Sequence, residues 1–244
     1  MTNAATARRP ASARDPRPAV GPGEEERSRE GTRAAILEAA ARLFRDRGYV
    51  ATTLRDIGEA VGMKAGSIYY HFGSKDEILA EVLDLGIVAM HRVVAGAVAA
   101  LPPDASAVER IETAIRAHLA GLLQYGVFTS ANVRIYGQVP AAAKERHAPV
   151  RQAYADYWTR LLARARREGV VRRDINLKML RLLLLGSMNW TVEWYRPQRG
   201  SVAGIARAVQ KLFLEGTLTP GAQRERAGQP ARCAPVRQRK GGSN

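Results

Sequence analysis

At 244 residues, 46% of them apolar, the chain is long enough for one large or two small domains around a real core. A formal net charge of +15 and a pI near 10.7 favour a polyanionic partner such as nucleic acid. A single cysteine, Cys233, excludes an internal disulfide framework, the N-terminus lacks the apolar segment of a secretory signal, and the run Leu180 to Leu185 is far too short to span a bilayer. These features predict a soluble cytoplasmic protein.

Residues 1–28 are rich in Ala, Arg, Pro and Gly and show no apolar periodicity, so they read as a disordered arm. Glu24, Glu25 and Glu26 stand between its arginines and the first helix. That favours a flexible leader over an arm that grips DNA. The charge along the chain is uneven: residues 1–31 carry 6 basic and 5 acidic side chains, 32–75 carry 7 and 4, 76–216 carry 19 and 13, and 217–244 carry 6 and 1.

A first helix is predicted from about Arg33 to Arg47, with Ile36, Ala40, Leu43 and Phe44 inward and Gly48 at its end. A second covers Leu54 to Val61. Thr53 is its N-cap, Asp56 stands at the capping-box position, and Gly62 is suited to the turn that follows. A third is expected from Ala65 to Phe72, with Ile68 and Phe72 inward. Its outer face has small residues at the start, two tyrosines, a histidine and a lysine, and no carboxylate. Such donors suit phosphate oxygens and base edges, and the pair reads as a helix-turn-helix. A small three-helix bundle with an aromatic surface fits the same residues. The candidate DNA contacts are Thr53, Arg55, Lys64, Ala65, Gly66, Ser67, Tyr69, Tyr70, His71 and Lys75, the last at a helix start capped by Ser74.

Helix four should run from Ser74 to about Ala100, its first half facing the helix-turn-helix and its second half a larger core. Leu101-Pro102-Pro103-Asp104 breaks the chain. The next helix, about Ser106 to Tyr125, places His118 among Val108, Ile111, Ile115, Leu119 and Leu122, where a histidine is more often a packed core group than a ligand. Val127 to Tyr136 mixes apolar and polar residues. A long helix follows from Ala141 or Pro149 to Glu168, and Gly169 caps it. A helix from Ile175 to Tyr195, capped by Asp174, is apolar nearly all round, which implies core on one side and a partner subunit on another. The last runs from Val202 to Leu214, and the segment from Thr217 onward shows no pattern. The domains are therefore 1–28 arm, 29–75 helix-turn-helix, 76–216 helical core and 217–244 basic tail. The fold class is all-α with about nine helices. There is no HExxH, no G-x-S-x-G, no Walker A run and no dinucleotide fingerprint.

The stretch TRAAILEAAARLFRDRGYVATTLRDIGEAVGMKAGSIYYHFGSKDEILAEVL, Thr32 to Leu83, closely resembles the DNA-binding domain of TetR-type transcriptional regulators. Its Leu-Phe and Gly-Tyr, Thr-Thr, Gly-x-x-x-Gly turn, Tyr-Tyr-His-Phe and Lys-Asp all match that pattern. More weakly, Arg167-Glu168-Gly169-Val170-x-Arg172-x-Asp174, the apolar helix after it and Trp194-Tyr195-Arg196-Pro197 resemble the branch that responds to acyl-coenzyme A thioesters. The resemblance implies a homodimeric repressor released from a near-palindromic operator by a small-molecule effector. It is not an enzyme, and its ligand is an effector rather than a cofactor. An effector pocket is expected among Tyr125, Phe128, Asn132, Arg134, Tyr136, Arg151, Trp158, Asn189, Trp190 and Arg196. A dimer face is expected at Leu180, Leu183, Leu184, Met188, Ile205, Val209 and Leu212. A DNA-binding regulator with no effector, and a helical enzyme or carrier for small acids, are the alternatives.

Overall fold

The structure is a computed structural model and describes residues 22–228, leaving aside the side chains of residues 22–25, Tyr125 and residues 225–228. The expected arm before Pro22, the end of the tail after Gly228 and Cys233 lie outside the described residues. Ten α-helices follow one another: α1 Pro22–Arg47, α2 Leu54–Ala60, α3 Ala65–Ile68, α4 Lys75–Ala99, α5 Ala107–Ala120, α6 Val127–Ile135, α7 Ala141–Arg167, α8 Leu177–Trp194, α9 Val202–Thr217 and α10 Pro220–Gly228. The non-helical pairing among the described residues is one antiparallel bridge, Val171 to Leu218.

Several boundaries differ from expectation. Helix α1 begins at Pro22, so part of the expected arm is helical. A proline is tolerated in a first turn because its missing N–H would be unpaired there. Helix α3 is a single turn, with hydrogen-bonded turns from Ser67 O to Tyr70 N and from Ile68 O to Phe72 N carrying the chain onward. Asn176, not Asp174, caps α8, accepting from Met179 N. Part of the expected tail forms α10, tied back by Thr219 N to Val170 O and by buried Ala222.

After α5 the chain widens into one π-helical turn, Gly121–Tyr125. Thr129 Oγ1 stands 3.0 Å from Gly121 O and 2.9 Å from Gly126 O, so a side-chain hydroxyl competes for a carbonyl that an α-helix would reserve for its own backbone. Pro149 sits inside α7. It and Glu145, whose carbonyl loses its partner, are both exposed, so that carbonyl faces solvent rather than the core.

Two apolar clusters hold the molecule. The first joins Ile36, Phe44, Ile57, Ile68, Phe72 and the first half of α4 to Ala131 and Ile135 of α6 and Ala143 of α7. The second joins the latter half of α4 to α5, α7, α8 and α9 around the fully buried Trp158. Helix α4 therefore belongs to both. It is long and apolar enough to cross a membrane by composition, but it packs on α1, α5, α6 and α7, which gives that apolarity a use inside the fold. Gly86 allows the closest approach: a Cβ there would stand 2.6 Å from Phe128 O, so α4 and α6 meet backbone to backbone.

Candidate nucleic-acid interface and sensor core

The capping box at α2 is formed as the sequence suggests. Asp56 N donates to Thr53 Oγ1 (3.1 Å), while Thr53 N and Oγ1 donate to Asp56 Oδ2 (2.7 and 2.6 Å). Those bonds hold the Asp56 carboxyl below the usual carboxylate range. Capping of this kind pairs helix-start N–H groups that have no partner within the helix. It spends the Thr53 side chain on the helix. Gly62 takes φ +70° in the turn that follows, a conformation cheap only for glycine.

Ile68 and Phe72 are buried, which turns Tyr69 and Tyr70 outward at 60% and 80% exposure. Lys64 and Gly66 are exposed beside them, and Ala65, Ser67 and His71 are half-buried. Arg55 projects from α2, held by Glu59 at 2.9 Å on the surface, an arrangement of little net worth in water. Along α2, α3 and the turn after it these residues form an outward-facing set. Lys75 does not join it. Its Nζ donates to Tyr49 O (3.0 Å) and Thr52 O (2.8 Å) and lies 4.2 Å above the Tyr49 ring. The Tyr49 hydroxyl in turn donates to Asp76. The amine thus ties the loop before α2 to the start of α4, spending two of its three N–H donors on backbone carbonyls. Arg33 acts likewise, pairing with Glu81 and covering the Phe72 ring at 4.4 Å.

The expected effector set falls in several places rather than one. Trp158 and Asn189 meet in the sensor core, where His118 Nδ1 lies 2.8 Å from Tyr154 Oη and His118 Nε2 3.0 Å from Asn189 Oδ1. With the amide oxygen accepting, Nε2 carries the proton and Nδ1 accepts the tyrosine hydroxyl. Burial pushes His118 down to about 4. Among the described residues the Trp158 indole N–H makes no hydrogen bond of normal geometry. Asn132 lies elsewhere, donating to Leu83 O (2.8 Å) and standing 3.3 Å from His147 Nε2, whose other nitrogen is 2.5 Å from Asp84. Phe128 packs against the DNA-reading cluster. Arg151 stacks at 3.9 Å on Tyr136, whose ring packs against the DNA-reading cluster. Trp190 faces outward at 66% exposure, so it lines no internal pocket. The Tyr125 side chain is outside the described residues.

Arg134 and Arg196 do share a space. A cavity of about 390 Å³ opens between the end of α1, the π-helical turn, α6 and the end of α8, with Arg45 as its third guanidinium. Neither the cavity nor Arg45 was among the expected features, since three segments distant in sequence build it.

The expected dimer face divides. Leu183 and Leu212 are exposed and Ile205 is half-buried, whereas Leu180, Leu184, Met188 and Val209 fill the chain's own core. Met179, Leu182, Trp190 and Trp194 replace them on the outer face of α8. An apolar groove of about 320 Å³ runs between that face and α9, lined by Met179, Leu183, Leu212 and Phe213.

Residues 36–82 match the family model described as bacterial regulatory proteins, tetR family, and residues 104–217 the one described as tetracyclin repressor-like, C-terminal domain. Together they span about two thirds of the chain. The chain belongs to the TetR family of transcriptional regulators. Among its relatives is the HTH-type transcriptional repressor KstR2 of Rhodococcus jostii, 29% identical over 208 residues, which cover 82% of this chain and 97% of the relative. The solved ketosteroid transcriptional regulator KstR2 of Mycobacterium tuberculosis aligns at TM-score 0.64 and 25% identity over 77% of this chain and 95% of that one. AibR, solved with isovaleryl coenzyme A and operator DNA, aligns at TM-score 0.67 and 22% identity over 74% and 96%; that likeness is one of fold. The TetR architecture accounts for the partition seen here, a helix-turn-helix unit carried on a larger helical body.

Proposed function

We propose that this TetR-family protein is a homodimeric repressor, acting in the cytoplasm, that leaves a near-palindromic operator when it binds an acyl-coenzyme A thioester. The carrying observation is the outward Tyr69–Tyr70 pair in the turn directly after the one-turn α3, beside an α2 whose start is fixed by the capping box at Thr53. Side chains so displayed meet base edges and phosphates in a major groove. Kinship with KstR2, named a repressor, supports the negative sense of regulation. That its relatives are regulators supports a binding role over an enzymatic one. The apolar outer face of α8 and α9 supports pairing with a second copy.

Coupling would run through α6. This helix packs on α1 and α4 and touches α8, so it stands between the reading unit and the sensor core. A ligand that shifts α6 changes the spacing of two reading units in a dimer. To move operator occupancy from nearly full to nearly empty, it must favour the non-binding arrangement by about 5.5 kcal/mol.

The test is fluorescence anisotropy of the purified protein on DNA from upstream of its own gene, at stated salt, titrated with free acids and their coenzyme A thioesters. Release by one thioester and not by its acid is expected. Tight, sequence-specific binding that no thioester disturbs would refute the effector while leaving the regulator intact.

A further inference from the structure

We infer that the cavity between Arg45, Arg134 and Arg196 is a site for the diphosphate of a nucleotide-bearing ligand, and that occupancy there acts on the seam between the reading unit and the sensor. The inference rests on the thioester reading above and gives the polar end of that ligand a place.

The three guanidiniums come from different parts of the fold: the last turn of α1, the end of α6 and the residue after α8 has closed. Arg134 is the half-buried centre. Its Nη2 donates to Val192 O (3.0 Å) and its Nη1 reaches Arg45 O (3.4 Å), so one planar cation bridges the ends of α8 and α1. Glu193 stands 3.5 Å from its Nε. Arg45 is held by both oxygens of Asp46, at 2.7 and 3.1 Å, on the surface. Arg196 donates to backbone only, to Tyr195 O (2.8 Å) and Glu193 O (3.4 Å), and makes no ion pair among the described residues. Against two carboxylates, three arginines leave an excess of one positive charge, and Arg196 is the cation without an ion pair among the described residues.

The volume, about 390 Å³, lies within the range of about 300–1,000 Å³ common for small-molecule sites. The π-helical turn supplies Leu122 and Leu123 as an apolar wall, while Ser130 spends its hydroxyl proton on Gly126 O (2.7 Å). Arginine forks match phosphate oxygens two at a time. A diphosphate drawing Arg45 and Arg196 inward competes with the Arg134 tether for the same few ångströms. Ligand binding at this seam is thereby coupled to the orientation of α1, and the coupling is reciprocal: operator DNA must weaken the ligand as much as the ligand weakens DNA.

The experiment is calorimetry on the full chain with two probes, free coenzyme A and inorganic pyrophosphate, for wild type, Arg45→Gln, Arg196→Gln and the outlying control Arg151→Gln. Circular dichroism checks that all four are folded. Expected are saturable binding of coenzyme A, competition by pyrophosphate, a loss of at least tenfold in affinity in Arg45→Gln and in Arg196→Gln, and wild-type behaviour in Arg151→Gln. Equal affinity in all four, or no binding of either probe, would overturn the site. Release of operator by a thioester with Arg45→Gln and Arg196→Gln unaltered would sink the site and keep the repressor reading. Arginine-dependent binding of coenzyme A with no thioester able to release DNA would do the reverse.

Discussion

Acidification should destabilise this protein through His118, and the size of the effect follows from where that ring sits. It is buried between Tyr154 and Asn189, donating and accepting as a neutral imidazole, and its folded pKa is about 4 against 6.5 unfolded. At pH 7 the folded ring holds no extra proton and the unfolded ring holds one only about a quarter of the time, so nearly the full stability is present. As pH falls through 6.5 the unfolded chain takes up a proton that the folded chain refuses, and stability drops until the folded ring also titrates near 4. At pH 5 the loss is about 2 kcal/mol, and well below pH 4 it approaches about 3 kcal/mol. Urea unfolding at fixed protein concentration reads this directly. With a slope of about 2–3 kcal/mol/M, the midpoint moves by about 1 M between pH 7 and pH 5. Carboxylates titrate in the same range, so the comparison is with His118→Gln, which keeps a polar group in the core but cannot take up the proton. That variant should be less stable at pH 7 and lose about 2 kcal/mol less on going to pH 5. An identical pH dependence in the two proteins, or a His118 imidazole resonance titrating near 6.5 in the folded state, would refute the argument.

Tyr70→Ala should weaken operator binding by about 1–3 kcal/mol with helicity and dimerisation intact, as anisotropy and circular dichroism would report; unchanged affinity would displace the reading face from α3. Leu183→Glu combined with Leu212→Glu charges two exposed side chains of the α8–α9 face, and sedimentation should then show monomers of native helicity. Lys75→Met removes the donor shared by Tyr49 O and Thr52 O. It should lower stability by about 1–3 kcal/mol while the salt dependence of DNA binding stays unchanged, because no phosphate contact is lost; a shallower salt slope would return Lys75 to the interface.

Local chemistry made the reading unit legible. Thr53, Asp56, Gly62, Ile68 and Phe72 act within a few residues of one another, so capping, turn and inward face follow from spacing alone. Lys75 shows the limit: a lysine at a helix start suits a phosphate in one dimension, but Tyr49 and Thr52 lie behind it in three. In α8 the composition announced two buried sides without saying which residues faced which. Apolar residues at every position erase the phase that Met179, Leu183, Trp190 and Trp194 take outward and Leu180, Leu184 and Met188 take inward. The effector set scattered because aromatic residues in a helical chain are first of all core. Trp158 belongs to the packing of His118 and Tyr154, and Tyr136 is covered by Arg151.

The least legible segment is the one on which regulation would turn. Val127 to Tyr136 carries no strong amphipathic pattern because α6 is in contact on several sides: α1 and α4 press on it, the π-helical turn precedes it, and α8 touches it. Its side chains serve different neighbours. Asn132 joins Leu83 O and His147, Arg134 joins Arg45 O and Val192 O, and Ala131 and Ile135 belong to the DNA-reading cluster. Gly86 removes the side chain that would separate α4 from Phe128 O, so α6 cannot approach α4 further and must slide or tilt instead. A rigid stop on one face and a polar staple at one end leave few directions of motion. Each of them carries α1 along, because α1 and α6 share one packed core, and close-packed cores transmit displacement rather than absorb it.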